Sequence, residues 1–166
     1  MLRLLLSCCA APAPETTILS PIRNLATLEH AADHAREVRV FVRQSQKRTR
    51  VRGLLLVGKH CLSAKIRLAR GAAHELDAAL LQVDHEKDIR AAFSQAAAHQ
   101  HKAVIFLSDI SYKSESFNQL IQQCITGQAT VVIAAADSLS SVPLAVRSLF
   151  QFRVFLKRDS GNENIF

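Results

Sequence analysis

Five short apolar runs do most to restrict what this chain can fold into: Leu54–Val57, Ala78–Val83, Ala103–Leu107, Thr130–Ala135 and Phe152–Leu156. Leu54–Val57, Ala103–Leu107 and Val131–Ala135 carry no polar residue, unlike a strand with one wet face, and each run is too short for a buried helix. A strand reads this way when both of its faces are covered, which is the situation of a parallel sheet between helices. Stretches with helical spacing separate the runs, and right-handed crossovers then make the connected strands parallel. The expectation is a three-layer α/β sandwich with a five-stranded, mostly parallel sheet. At 166 residues the chain can bury a sizeable core. With 5% aromatics and no Trp, that core must be aliphatic.

The intervening stretches have helical periods. From Asn24 to Gln44, Leu25, Leu28, Ala32, Ala35, Val38 and Val42 recur at three- and four-residue steps, with Arg36, Arg39 and Arg43 on another face. Ser45 to Arg52 reads as a polar, basic connection. A second helix is expected from Ser63 to about His74, and a third from Glu86 to Gln100, capped by Asp84 and with Ile89, Phe93 and Ala96 or Ala97 on one face. Ser114 is placed to cap a fourth, with Phe117, Leu120, Ile121 and Cys124 on one face and Gly127 at its end. A loop and short helix follow between Ser138 and Leu149. Pro12, Pro14 and Pro21 break the start of the chain, so residues 1–20 read as unstructured. The organisation is a flexible terminus over 1–21, one α/β core over 22–158 and a tail over 159–166.

Charge is excessive and uneven. The formal charge is +7, and from Arg36 to Arg52 six arginines and Lys47 face one acid, Glu37. Arg39, Arg43, Lys47, Arg48, Arg50 and Arg52 are therefore candidates for contact with nucleic acid or an acidic partner, against the plainer reading of a solvated basic helix and linker. Four cysteines at 8, 9, 61 and 124 lack zinc-site spacing and disulfide density, which points to a reducing, cytoplasmic setting. The opening MLRLLLSCC is too short to span a bilayer. An organelle presequence or a lipid anchor at Cys8 or Cys9 is the alternative to a loose apolar terminus.

His30 and His34 stand four apart on a helix but have no third ligand nearby in sequence, so no metal site is expected. Cys61 follows His60 in the loop before a helix, a setting that can activate a thiol, although no orienting acid is evident. The stretch Arg52 to Arg70 runs strand, glycine (Gly58), loop, lysine (Lys65) and basic helix. A phosphate cradle has that order but needs further glycines, so that backbone N–H groups can close around the anion. Ser108 and Asp109 end a central strand, where open α/β sheets bind ligands.

Taken together, the segments resemble the core of an AAA+ ATPase over about residues 22–158. Arg52–Gly58 resembles the lead-in to a Walker A loop, and Leu68-Ala-Arg70 the helix behind it. Ile89–Ala96 and Ala103–Leu107 are similar to the helix and strand of Walker B. Val131–Asp137 resembles the sensor 1 strand, and Val142–Ser148 the segment before the arginine finger, with a clamp-loader flavour. The resemblance implies a nucleotide site around Gly58, Lys65, Asp109 and Asp137, with Lys65 and Asp109 as the residual catalytic candidates.

The family's chemistry carries over poorly at these positions. Lys-His-Cys-Leu-Ser-Ala stands between Gly58 and Lys65, one residue longer than the family loop and without its glycines. Ile66 follows the lysine where a Ser or Thr should hold magnesium. Ser108-Asp109 replaces the Asp-Glu pair, Ala136-Asp137 replaces the polar pair of sensor 1, and the arginine-finger position falls near Leu149, with Arg147 or Arg153 as substitutes. The helical lid that usually follows the core is not in the sequence, which is then either a fragment or the sandwich domain alone.

The expectation is a pseudo-ATPase without a required cofactor, residual ATP or ADP binding aside. It would act through protein contacts, as a non-hydrolysing subunit or adaptor in an AAA+ hetero-oligomer. The alternatives are a divergent, weak ATPase using Lys65 and Asp109, and a basic nucleic-acid-binding protein on the same scaffold.

Overall fold

The computed structural model describes residues 18–19, 32–47, 52–59, 61–98, 103–110, 115–126 and 130–157. Their elements, in chain order, are β1 (Ile18–Leu19), α1 (Ala32–Lys47), β2 (Gly53–Val57), α2 (Leu62–Glu75), β3 (Ala79–Val83), α3 (Ile89–Ala98), β4 (Ala103–Leu107), α4 (Glu115–Thr126), β5 (Val131–Ala136), α5 (Leu144–Arg147) and β6 (Phe152–Phe155). The strands lie in the order β1-β3-β4-β5-β2-β6. Neighbours from β3 to β6 are all parallel, as expected of the apolar runs.

The continuous apolar strands are explained by what each face touches. Leu54 and Leu56 of β2, Val104 and Phe106 of β4, and Ile133 and Ala135 of β5 pack with Ala35, Val38, Phe41 and Val42 of α1 and with Leu68, Ala69, Ala72 and Ala73 of α2. The alternate residues Leu55, Val57, Ile105, Leu107, Val132 and Ala134 turn to the other face. There they meet Ile89, Ala92 and Ala96 of α3, Ile121 and Ile125 of α4, and Val146 of α5. Each buried Leu, Ile or Val stabilises the fold by about 1.5–3 kcal/mol relative to leaving it exposed. A slip of one residue in register would only exchange one apolar face for the other, so strand order rests on the helices and loops. The small alanines of α2 allow its close approach to β3 and β4.

Several sequence expectations shift. Residues 1–20 are expected to carry no structure, yet Ile18 and Leu19 pair antiparallel with Leu81 and Leu80 and extend the sheet to six strands. The partner strand β3 would otherwise be an edge with unpaired backbone groups, and a short apolar segment satisfies them. Helix α1 does not stop at Gln44 but continues to Lys47. Ser45 lies three residues beyond Val42 on the buried face, and its hydroxyl donates to the Val42 carbonyl at 2.8 Å, so a polar residue fits the core side of the last turns. The part of that helix expected over residues 24–31 lies outside the described residues.

The third helix opens with a 3₁₀ turn, Glu86–Asp88, before α3 proper. Asp84 accepts from Gln82 Nε2 at 2.9 Å. Ser114 and Gly127, expected at the two ends of α4, lie outside the described residues, as do the side chains of Phe117, Leu120 and Cys124. Helix α2 stops where Asp77 takes the left-handed conformation (φ 50°), and the Ala78 N–H turns back to the Ala73 carbonyl.

Candidate functional site

The chain leaves β2 by α2, on one face of the sheet, and leaves the neighbouring β5 by α5, on the other. Diverging connections from adjacent parallel strands open a crevice at their carboxyl ends, the usual ligand position of open α/β sheets. Gly58, Lys65, Asp109 and Asp137, which are scattered in the sequence, meet at this end of the sheet.

Gly58 follows β2. Its N–H donates to the Ala136 carbonyl at 2.9 Å, extending the β2–β5 pairing by one bond. None of the described glycines has a positive φ. What demands glycine here is space: a Cβ would stand 2.9 Å from both the Cβ and the carbonyl oxygen of Leu156. The backbone of Leu156 cannot swing aside, because its N–H is bonded to the Val57 carbonyl at 2.7 Å. Gly58→Ala is therefore expected to cost about 1–3 kcal/mol, read as a lower urea midpoint at unchanged slope.

Cys61 is the residue before α2. Its thiol donates to the Lys59 carbonyl at 3.1 Å and makes no side-chain cap to the helix. One turn on, Lys65 is 2% exposed, although it carries an ammonium group. That ammonium donates to the Ala136 carbonyl at 2.9 Å and lies 3.7 Å from Asp137 Oδ1. The Ala136 oxygen thus receives two donors, one from the end of β2 and one from α2. Burial pushes the Lys65 pKa below its ordinary value; Asp137, Cys61 and Asp109 act in the opposite direction without cancelling the effect. Lysine is held here as an internal tether between α2 and the end of β5. Ile66, next along, packs its apolar side chain against the α1–α2 core.

Beyond β4, Ser108 donates twice to the Val83 carbonyl, from its N–H at 3.0 Å and its hydroxyl at 3.2 Å. Asp109 is exposed at the rim, within electrostatic reach of Lys65. The next residue, Ile110, is buried and donates its N–H to the Ala135 carbonyl at 3.1 Å, closing the end of β5 from that side. Asp137 is 70% exposed. The arginines nearest the expected finger position are bonded locally: Arg147 donates twice to the Val142 carbonyl, and Arg153 donates to the Arg147 carbonyl at 3.0 Å.

The basic candidates form a separate group. Arg39, Arg43 and Lys47 lie on α1, where Arg39 is paired with Glu75 at 3.1 Å and the other two are exposed. Arg52 stands at the opposite, amino end of β2, with its carbonyl accepting from Val132 N–H at 2.8 Å. Arg48 and Arg50 lie outside the described residues, as do His30 and His60. His34 Nδ1 is 4.0 Å from Glu37 Oε2. Among the described residues no three His, Cys, Asp or Glu side chains gather as a metal site, and no helix is long and apolar enough to cross a membrane.

Sequence reasoning missed the Ala136 carbonyl and Leu156, the two groups that decide how Lys65 and Gly58 are used. A backbone acceptor has no residue-type signature, and the Gly58–Leu156 approach depends on β6 pairing with β2.

No family model and no curated protein matches the chain. Solved structures do. One point mutant of Thermotoga maritima RuvB superposes with a TM-score of 0.67 at 15% identity, covering 81% of this chain and 48% of that one. A second point mutant of the same protein gives 0.66 at 16%, covering 82% and 49%. The FIGL-1 AAA domain in complex with ADP gives 0.61 at 24%, covering 85% and 58%. The chain thus spans about half the length of the RuvB chains it matches. Its fold is similar to the α/β core of RuvB and of the FIGL-1 AAA domain.

Proposed function

We propose that the chain is a non-hydrolysing AAA+-like module that acts through protein contacts, as a subunit or adaptor of a larger assembly. The observation that carries this reading is the position of Lys65. A phosphate lysine must offer its ammonium to the nucleotide, whereas this one is buried and bonded to the Ala136 carbonyl beside Asp137. The surroundings agree with it. The Gly58 N–H is bonded to the same carbonyl, and no glycine follows it in the loop before Lys65. Ile66 offers packing where magnesium needs a hydroxyl, and the rim carries carboxylates at Asp109 and Asp137. These residues do not fit a magnesium nucleotide as they stand, although the similar FIGL-1 domain was solved with ADP. Leu144, at the start of α5, is 76% exposed. An apolar side chain left in water on the segment that resembles the arginine-finger approach suits contact with another chain.

Calorimetric titration of the full chain with ATP and with ADP, each with and without magnesium, tests the reading. The expected result is no magnesium-dependent heat up to millimolar nucleotide, and no turnover by the isolated protein. Magnesium-dependent binding at micromolar nucleotide that Lys65→Ala abolishes would overturn it and put a working, divergent ATPase in its place.

A further inference from the structure

We infer that the outer face of α1 and α2 is one composite surface for the phosphate backbone of duplex nucleic acid, completed by arginines of α2 that lie outside the basic stretch 36–52. Both helices cover the same face of the sheet. Their relative direction follows from Glu75 at the end of α2: its carboxylate holds Arg39, and its carbonyl accepts from Gln46 near the end of α1 at 3.5 Å. The two C-terminal ends therefore lie together, and the helices run side by side in the same sense.

Each helix buries one stripe and exposes the opposite one. On α1 the exposed stripe is Arg36, Val40, Arg43 and Lys47; on α2 it is Ser63, Arg67, Arg70 and His74, with Arg70 partly covered. The two stripes share one spacing (i, i+4, i+7, i+11); the cations Arg36, Arg43 and Lys47 stand about 10 Å and then about 6 Å apart along α1, and Arg67 and Arg70 about 4.5 Å apart along α2, across a helix separation of roughly 8–10 Å. Favourable interaction with the helix dipoles accounts for Lys47 and His74 in the last turns, but not for Arg36 and Arg67, which stand outside them. Among the described side chains of this face the acids are Glu37, beside His34, and Glu75, held by Arg39. The Nε of Arg70 is buried without a hydrogen-bond partner.

The chemistry selects the occupant. Four of the five cations are arginines, whose planar fork matches phosphate oxygens. The aromatic residue of α1, Phe41, is buried against Phe152 rather than offered to bases, so the face would read backbone and not sequence. A membrane surface fits less well, because the apolar sides of both helices are already in the core and only Val40 and Leu62 are exposed large apolar residues on them.

The test is fluorescence anisotropy of a labelled 20-bp DNA duplex of arbitrary sequence, titrated with the full chain at several salt concentrations. Binding is expected to weaken linearly with the logarithm of salt, at about 0.9 per phosphate engaged. Arg43→Glu/Arg70→Glu should cost at least tenfold in affinity at fixed salt and flatten the slope by roughly 2. Lys87→Glu/Arg90→Glu makes the same change of net charge on the other face of the sheet and should cost less than threefold. The inference is overturned if the two double variants lose affinity equally, if the first loses none while its thermal melt is unchanged, or if polyglutamate or phosphatidylserine vesicles bind more tightly than the duplex at equal salt. The nucleotide titration above has no bearing on any of these outcomes.

Discussion

Lys65→Glu is expected to lower stability by about 3–5 kcal/mol, the range found when a buried pair loses one partner and an unmatched charge remains. The glutamate carboxylate would be placed against the Ala136 carbonyl oxygen, with Asp137 and Asp109 adding like charge from the rim. No donor replaces the ammonium, so the acid must either stay charged at high cost or take up a proton. For a chain of this size the melting temperature should fall by roughly 6–20 °C, measured by circular dichroism at pH 7. Lys65→Met provides the contrast. It keeps the length and the apolar stem and removes a charge whose burial is unfavourable, so stability at pH 7 should stay within about 1 kcal/mol of wild type or rise.

The pH dependence has a definite sign. The Lys65 pKa is lower in the folded protein than in the unfolded chain, so the unfolded state binds more protons between the two values. Stability therefore rises with pH through that window and levels off above the unfolded value, near 10.5. Lys65→Met should lack this rise, and its advantage over wild type should shrink as the window is crossed. If wild type and Lys65→Met respond identically to alkaline pH, the ammonium is not held as described. If Lys65→Glu melts with wild type, the pocket around Ala136 is open to water.

Phe106→Ala is the second large effect, at about 3–5 kcal/mol. Phe106 is fully buried in β4, the strand that leads to Asp109, between Gln82 of β3 and Ile133 of β5. Its ring fills the layer between the sheet and the two basic helices, where the neighbouring alanines of α2 have no volume to spare for repacking. A cavity is the expected result, seen as a lower urea midpoint. Since unfolding still exposes nearly the same surface, the slope of the transition should hold. A loss below about 1 kcal/mol, short of the usual cavity cost, would mean that α1 and α2 close over the gap, and with it that the spacing of the basic face is adjustable.

Much of the architecture was legible before any coordinates. Runs such as Leu54–Val57 and Ala103–Leu107 announce strands buried on both faces, and the parallel sandwich follows from them. The stripe Ala35, Val38, Val42 likewise marks the buried face of α1. Ile18–Leu19 was not legible, because two apolar residues become a strand only when a neighbouring edge is waiting for them. The end of α1 was misjudged for a related reason: Ser45 and Lys47 look like linker residues until the core reaches the one and solvent the other.

At the candidate site the division is sharper. The family resemblance singled out Gly58, Lys65, Asp109 and Asp137 and the hydroxyl missing at Ile66, and residue types alone showed positive charge concentrated near α1. Only the tertiary structure decided how those groups are used. Gly58 is glycine because Leu156 crowds it, and Lys65 is a tether because the Ala136 carbonyl and Asp137 lie within its reach. Arg67 and Arg70 join Arg36 and Arg43 because α2 lies beside α1 on one face of the sheet. The physical reason is the same in each case. Periodicity and residue type act over neighbouring positions along the chain and specify elements, whereas the crowding, burial and charge at a site come from atoms that strand pairing and helix packing bring in from distant parts of the sequence.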